Sequence, residues 1–161
     1  MTRRQLFGLL SAIGLGPKAT TGALAAAPAP EGDTLVLTDA QWKQRLTPAQ
    51  YDVLRRAGTE RAGTSPLNAE KRSGRYLCAG CELPLFTSAM KFDSGTGWPS
   101  FFTMLPGALK TSTDYKMILP RTEYHCARCG GHQGHVFDDG PRPTGKRYCN
   151  NGVALKFEVA A

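Results

Sequence analysis

The sequence predicts a single, mainly β domain of antiparallel strands, preceded by two short helices and clipped by a four-cysteine metal site. Three observations carry this prediction. The chain has 161 residues, the length of one ordinary domain. It contains 18 glycines and 11 prolines, a composition typical of many turns and short strands. Two Cys-x2-Cys pairs lie far apart in the sequence, at a spacing that lets one ion bind both.

The first 27 residues predict an export signal rather than part of the fold. Arg3 and Arg4 precede the apolar run 6–15, and a small-residue stretch with Ala-x-Ala sites follows at 23–27. The adjacent arginines resemble a twin-arginine signal, which predicts export to the periplasm without a stable membrane anchor. The alternative is a basic, frayed N-terminus on a cytosolic protein.

Turn-forming residues divide the rest of the chain. Residues 28–37 are interpreted as a linker, and residues 38–161 as the folded domain. Capping residues and apolar spacing indicate two helices, and short apolar runs between Gly, Pro, Ser and Asp indicate strands. The helices are predicted over 39–45 and 48–58, and strands over 75–78, 84–86, 115–119 and 154–159.

Three units of the net charge of +7 come from Arg3, Arg4 and Lys18, which precede every acidic residue. Without the first 30 residues the chain keeps 17 basic against 13 acidic side chains, and the basic ones are scattered. A nucleic-acid-binding protein is therefore not expected. No later apolar run approaches the ~18 residues of a membrane span. We expect a monomer.

Four of the five cysteines form two pairs beside turn-forming residues. A two-residue spacer aims two sulfurs at one ion, and four thiolates complete a tetrahedral zinc shell with no open position. The pattern predicts one structural Zn²⁺ bound by Cys78, Cys81, Cys126 and Cys129. Two disulfides are the alternative in an oxidising compartment, and a 4Fe–4S cluster is another.

Cys149 is the odd cysteine. Lys146, Arg147 and two asparagines flank it, whereas a buried spare cysteine normally lies in an apolar run. On a strand, Arg147, Cys149 and Asn151 would share one face. A guanidinium beside a thiol stabilises the thiolate and lowers the thiol's pKa, as a nucleophile requires. The alternative is an incidental surface thiol.

Two histidines lie in a glycine-rich stretch after the second cysteine pair. Because four cysteines already complete a zinc shell, His132 and His135 are interpreted as acid–base or substrate-binding groups in a turn. His125 is interpreted as structural. Asp138 and Asp139 follow, either to orient an imidazole or to form a turn.

Residues 91–101 (KFDSGTGWPSF) set aromatic side chains in a glycine-rich backbone, where Trp98 could line a small apolar pocket. This segment resembles the signature loop of the B-type methionine-R-sulfoxide reductases. Residues 121–155 are similar to the catalytic half of that family, and Gly58-Thr59-Glu60 and the first cysteine pair also match. The resemblance covers residues 38–159. It implies two small antiparallel sheets clipped by zinc, with short N-terminal helices.

The resemblance also implies a role for each candidate site residue. Cys149 would be the nucleophile, the paired cysteines would bind zinc, and Trp98 would pack against the S-methyl group of the substrate. The sulfoxide oxygen would be oriented and protonated by a polar wall of His132, His135, Arg147 and Asn151. Where many family members carry a cysteine that resolves the oxidised nucleophile, this chain has Thr96.

The sequence thus predicts an enzyme that reduces methionine-R-sulfoxide in proteins or peptides to methionine, without an organic cofactor. The preference for the R epimer is implied by the resemblance alone. The sulfenic acid left on Cys149 would be reduced by a small thiol or a thioredoxin-like protein. The alternatives are a zinc-ribbon-like binding module and a purely structural zinc protein. The first leaves Arg147, Cys149, Asn151 and Trp98 without a role, and the paired histidines weigh against the second.

Overall fold

The computed structural model describes residues 34–160, so the predicted export signal lies outside the described residues. Of the predicted linker, residues 34–37 are described, and they have no regular secondary structure. The backbone N–H of Leu35 donates to the carbonyl of Arg128 at 2.8 Å, which holds this segment against the domain. None of the helices in the described part is long and apolar enough to cross a membrane.

Two short helices begin the domain, α1 (Asp39–Arg45) and α2 (Pro48–Arg56). Each starts after a threonine, Thr38 or Thr47, whose hydroxyl accepts a hydrogen bond from the backbone N–H three residues later. A glutamine at that later position accepts from the threonine's own N–H, which completes a capping box. Ala57 ends α2 in the left-handed conformation. Both predicted helices are confirmed.

The rest of the described chain is built mainly from antiparallel strands. Their bounds are β1 Gly74–Cys78, β2 Pro84–Thr87, β3 Lys91–Phe92, β4 Ser100–Phe101, β5 Leu109–Asp114, β6 Arg121–Cys126, β7 His132–Phe137, β8 Arg147–Asn150 and β9 Leu155–Val159. A three-stranded sheet has the order β2-β1-β9, and a six-stranded sheet has the order β3-β4-β8-β7-β6-β5. The prediction of a mainly β fold with two small antiparallel sheets is confirmed.

The strand predicted over 115–119 is wrong. These residues form the loop between β5, which ends at Asp114, and β6, which begins at Arg121. The side chains of this loop are exposed rather than packed in a sheet. A short apolar run has the same composition in a buried strand and in an exposed loop, so the run alone could not distinguish them.

Aromatic rings from both sheets meet in the core. Tyr76, Phe86, Phe101 and Tyr124 are all fully buried. Phe86 of the small sheet stacks on Phe101 of the large sheet with ring centroids 4.0 Å apart, and Tyr76 meets Phe101 edge-on at 4.9 Å. Burying a side chain of this size contributes about 1.5–3 kcal/mol, so these contacts hold the two sheets together.

The helices pack against the turns that carry the paired cysteines. Trp42 of α1 and Leu54 of α2 are buried in the core cluster. Arg45 donates through Nε to the carbonyl of Gly80 at 2.7 Å, and Arg55 donates to the carbonyl of Cys129 at 2.9 Å. Each helix therefore supplies an arginine that fixes the backbone of one cysteine turn.

Candidate active site

The four paired cysteines join the two sheets. Cys78 ends β1 and Cys126 ends β6, and Cys81 and Cys129 follow each of them by three residues. All four sulfurs lie within 4.8 Å of one another, with Cys78–Cys129 at 3.6 Å and Cys81–Cys126 at 3.4 Å. A disulfide would bring two sulfurs to about 2.05 Å, so these are free thiols.

The surroundings of this cysteine cluster fit a metal ion. Tetrahedral zinc with Zn–S distances of about 2.3 Å would separate its sulfurs by about 3.8 Å, close to the spacing found. The side-chain amide of Gln133 donates to the sulfur of Cys78 at 3.3 Å. Hydrogen bonds that the Cys78 thiol donates to Cys126, Cys129 and Cys81, followed by burial, raise the pKa of Cys78 well above that of a free thiol. Four cysteines buried so closely could bind a cation in place of their protons.

Cys149 lies apart from the cysteine cluster, in the middle of the six-stranded sheet. It belongs to β8, where it pairs with Ser100 of β4 on one side and with His135 of β7 on the other. Its side chain is partly buried and opens onto a cavity of about 110 Å³. The cavity is lined by Thr59, Trp98, Arg121, Gly134, His135, Phe137, Cys149, Asn150 and Asn151. The structure thus brings Cys149, Trp98, His135 and Asn151 to one cavity.

Burial and two hydrogen-bond donors act against each other on the Cys149 thiol. Burial is the larger effect and raises the pKa of Cys149 above its ordinary value. The charge of Arg147, and hydrogen bonds from Thr96 and Arg147, lower that pKa in part. The guanidinium therefore acts in the direction the sequence predicted, but the net pKa is raised rather than lowered because the thiol is desolvated.

Arg147 is held beside Cys149 by several contacts. It is buried, and its guanidinium donates two hydrogen bonds of 2.8 Å to the carboxylate of Asp139. The guanidinium carbon also lies 4.3 Å from the centre of the Phe137 ring. Arg147 lowers the pKa of Asp139, so the pair stays ionised at neutral pH. Of the two aspartates left open by the sequence, Asp139 orients an arginine and Asp138 pairs with Lys146.

The two candidate histidines lie on strand β7 and not in a glycine-rich turn, so that prediction is wrong. The pairing of β6 with β7 shifts its register near Gln133, where a bulge lets both imidazoles come within 5.5 Å of each other. The sequence could not show this, because glycines next to a histidine are compatible with either a turn or a bulged strand.

His135 is the histidine that faces the cavity. Its Nε2 lies 2.8 Å from Oδ2 of Asp114. The backbone N–H of Lys116, and then His135 itself, hold the pKa of Asp114 far below its usual range, so this carboxylate accepts the hydrogen bond. Because Nε2 is committed to Asp114, Nδ1 is the nitrogen that remains for a ligand.

His132 lies behind His135 and is buried. Its Nδ1 is 2.5 Å from Oε1 of Glu123, and His125 reaches the same oxygen through Nε2 at 3.1 Å. Burial is the main cause that lowers the pKa of His132, so its imidazole is neutral at pH 7. Glu123, His125 and His132 could also hold a metal ion, although hydrogen bonds to one carboxylate already account for their arrangement.

Glu60 braces two residues that line the cavity, Trp98 and Asn151, and the sequence did not predict this role. Its carbonyl accepts from Nε1 of Trp98 at 3.0 Å, and its backbone N–H donates to Oδ1 of Asn151 at 3.0 Å. Its carboxylate accepts from the backbone N–H groups of Gly152 and Val153, both at 2.9 Å. Asn151 also donates through Nδ2 to the carbonyl of Gln133 at 3.0 Å. Asn151 is thus a brace between segments as well as part of the wall.

Several further residues of the site escaped the sequence analysis. Arg121, Phe137 and Thr59 line the cavity, and Asp114 orients His135. Only the Gly58-Thr59-Glu60 match offered a signal for any of them. The others depend on strand pairings that no local pattern reveals.

Comparisons with known proteins show the family of this chain. Residues 46–159 match the SelR domain. The chain is 53% identical over 124 residues to peptide methionine sulfoxide reductase B1, chloroplastic, of Arabidopsis thaliana, covering 76% of this chain and 61% of that protein. It is 52% identical over 122 residues to peptide methionine sulfoxide reductase MsrB of Agrobacterium fabrum, covering 75% and 90%. With MsrB of Thiobacillus denitrificans the identity is 53% over 121 residues, covering 74% and 92%. The chain therefore belongs to the SelR-domain family of peptide methionine sulfoxide reductases, B type.

Proposed function

We propose that this protein reduces the R epimer of methionine sulfoxide, in proteins or peptides, with Cys149 as nucleophile and His135 as proton donor. One observation carries the assignment of these two residues. They are directly paired across β7 and β8, at the wall of one cavity that also contains the indole of Trp98. The choice of epimer is supported by the family to which the chain belongs.

The proposed reaction begins at the sulfoxide oxygen. A sulfoxide sulfur is a poor electrophile until its oxygen is hydrogen-bonded or protonated. Nε2–H of His135 is held by Asp114, so Nδ1 can donate to that oxygen only when the imidazole carries a second proton. The sulfur of Cys149 then attacks the sulfoxide sulfur. The bond between the two sulfurs and the substrate S–O bond then break as the oxygen is transferred to Cys149. The thiol is thereby oxidised by two electrons to a sulfenic acid while the sulfoxide is reduced to methionine.

The raised pKa of Cys149 suits this exchange. A thiol that keeps its proton in the free enzyme brings a proton to the site. The sulfoxide oxygen needs this proton as its bond to the substrate sulfur breaks. Arg147 and Thr96 stabilise the thiolate as the proton leaves, because both hydrogen-bond to the sulfur. Trp98 and Phe137 offer apolar surface to the methyl group of the substrate.

An external thiol would regenerate the enzyme. The chain has five cysteines, and four of them are in the cysteine cluster, so Cys149 has no spare internal thiol. A first thiol would displace water from the sulfenic acid to give a mixed disulfide, and a second thiol would release Cys149. A small thiol or a thioredoxin-like protein fits this role.

We also propose that the cysteine cluster binds Zn²⁺ as a structural ion. Zinc is supported by the donor set, since four thiolates close a tetrahedral shell and leave no position for a substrate. The residues that would hold it are Cys78, Cys81, Cys126 and Cys129. An exported, periplasmic location is proposed from the twin arginines and the apolar run that follows them.

The test is product analysis with separated epimers. The protein is incubated with the R or the S epimer of N-acetyl-methionine sulfoxide amide and with dithiothreitol, and the reduced product is quantified. We expect turnover of the R epimer only, and none by a Cys149→Ser control. Turnover of neither epimer would overturn the proposed activity, and equal turnover of both would overturn the stereochemical assignment.

A further inference from the structure

The loop between β5 and β6 carries the largest group of exposed apolar side chains in the described chain. Tyr115 is 76% exposed, Ile118 is fully exposed and Leu119 is 76% exposed, and Met117 beside them is also exposed. Exposed apolar residues scattered singly need no explanation, but several in one short segment indicate an interaction site. We call residues 115–120 the apolar loop.

The base of the apolar loop is part of the cavity wall. Asp114 precedes the loop and Arg121 follows it, and the two are joined by an ion pair of 2.7 Å. Asp114 also accepts from the backbone N–H of Lys116 at 2.9 Å and bonds His135. Arg121 lines the cavity with Cys149. The loop is therefore continuous with the reactive site.

The distance from the base to the tip suits a peptide. Ile118 is three residues from Arg121, so its Cα lies within ~11 Å of the base of the loop. A methionine sulfoxide bound at Cys149 within a polypeptide has neighbours on both sides. An extended chain advances about 3.3–3.6 Å per residue, so neighbours three or four positions away can reach the loop.

The chemistry of the substrate explains why the loop is apolar. Methionine is among the residues most often buried, so its neighbours in space and sequence are frequently apolar. Oxidation to the sulfoxide makes the side chain polar and disrupts the core around it. A damaged protein therefore presents its sulfoxide together with apolar segments that the native fold no longer covers.

We propose that the apolar loop binds the apolar polypeptide segment that flanks methionine sulfoxide in a damaged protein. This inference rests on the proposed function, because it names the form in which that substrate arrives. Side chains such as Ile118 and Leu119 would contact the flanking segment and not the reacting sulfur. The loop would act on the KM for polypeptides and not on the chemical step.

The test compares three substrates of the full chain: N-acetyl-methionine-R-sulfoxide amide, a peptide with the sulfoxide between leucines and valines, and a matched peptide with serines and glycines. We expect the wild type to favour the apolar peptide. The double variant Ile118→Ser/Leu119→Ser should lose about tenfold in kcat/KM for that peptide, through KM, and keep its kcat/KM for the amide. Both side chains are exposed, so thermal unfolding should be unchanged.

Val36→Ser is the matched control. Val36 is an exposed apolar residue next to Leu35, which is bound to the cysteine turn at the opposite end of β6 from the apolar loop. This control should behave as the wild type with all three substrates. Equal kcat/KM for the two peptides, unaltered in the double variant, would overturn the inference while turnover of the amide leaves the proposed function intact.

Co-sedimentation with phosphatidylglycerol vesicles tests whether the apolar loop binds a membrane instead of a polypeptide. If the wild type sediments with vesicles and the double variant does not, while the ratio of the two peptides stays the same, the loop is a membrane contact and the inference is wrong. If the wild type turns over none of the three substrates, the proposed function itself is wrong.

Discussion

The cysteine cluster and the Cys149 cavity place sulfur in opposite surroundings. In the cluster, four buried sulfurs lie within 4.8 Å of one another, and Gln133 donates to one of them. In the cavity, one partly exposed sulfur stands beside an arginine, a threonine and a histidine from different segments. A buried structural cysteine is chemically inert, whereas a partly exposed cysteine beside a positive charge can react with a ligand.

The two regions also differ in what they hold together. The cysteine cluster ties β1 of the small sheet to β6 of the large one, so its loss separates two parts of the fold. Cys149 and His135 in the cavity lie on neighbouring strands of one sheet, which their own ladders already fix. Substitutions in the cluster should therefore change folding, and substitutions in the cavity should change chemistry.

The largest expected effect is the loss of folding in Cys126→Ser. A serine does not provide the fourth thiolate, and the apparent binding energy of structural zinc, about 10–16 kcal/mol in small domains, is also folding energy. We expect loss of metal by elemental analysis and a large fall in the thermal midpoint. A Cys126→Ser protein that is folded, metal-free and active would break the distinction between the two regions.

Cys149→Ser should show the converse behaviour. Turnover of methionine-R-sulfoxide should be abolished, because a serine hydroxyl is not a comparable nucleophile toward sulfur. Metal content and thermal midpoint should match the wild type, since Cys149 is outside the cysteine cluster and serine preserves the strand. Residual activity above that of a protein-free control would assign the nucleophile elsewhere.

These contrasts explain how much the sequence revealed. The cysteine cluster was predictable because two local spacings define its ligands, and the pairing of Arg147 with Cys149 was predictable because they are two residues apart on a strand. The helices were predictable from their capping residues at Thr38 and Thr47. Each of these features depends on residues that are close together in the sequence.

The rest depends on long-range register. Asp114 meets His135 across 21 positions of sequence, and Glu60 meets Asn151 across 91. Neither contact follows from local pattern, because a shift of one residue in the pairing of β5, β6 and β7 would move every side chain to the other face. The apolar loop was mistaken for a strand for the same reason, since only tertiary packing shows that its side chains are uncovered.

Asp114→Asn tests the histidine side of the cavity, with a smaller effect than loss of the nucleophile. Asparagine keeps the Oδ1 acceptor for the N–H of Lys116 but removes the charge beside Nε2 of His135. We expect kcat to fall about tenfold to a hundredfold, with a smaller change in KM. This is less than the ~10²–10⁴-fold that a positioned proton donor contributes, because His135 itself remains. Ser112→Ala, an exposed change on the same strand, is the control. An unchanged kcat would show that Asp114 does not act through His135.

Arg147→Ala tests the thiol side, and the expected change is several-fold. The pKa of Cys149 is already raised by burial, so its thiolate fraction at pH 7 is small and its alkylation rate should rise with pH to a limit above the ordinary thiol range. Removing the guanidinium raises that pKa further, which slows alkylation near pH 7 but not at the alkaline limit. Arg75→Ala, which breaks an exposed ion pair with Glu158, is the control. If the alkylation rates of Arg147→Ala and the wild type depend on pH in the same way, Arg147 does not lower the pKa of Cys149.

Thr96→Cys should change the rate least and the oxidised product most. Thr96 hydrogen-bonds to Cys149, so position 96 already lies beside the nucleophile, and a disulfide needs a Cα separation of ~4.4–6.8 Å. After one turnover without reductant, the wild type should carry one added oxygen that a dimedone probe traps. Thr96→Cys should instead show an internal disulfide to Cys149 by mass spectrometry, and Thr96→Ser should behave as the wild type. If the oxidised wild type forms a disulfide between Cys149 and a cluster cysteine and releases metal, the cysteine cluster takes part in the redox cycle and the two regions are not separate.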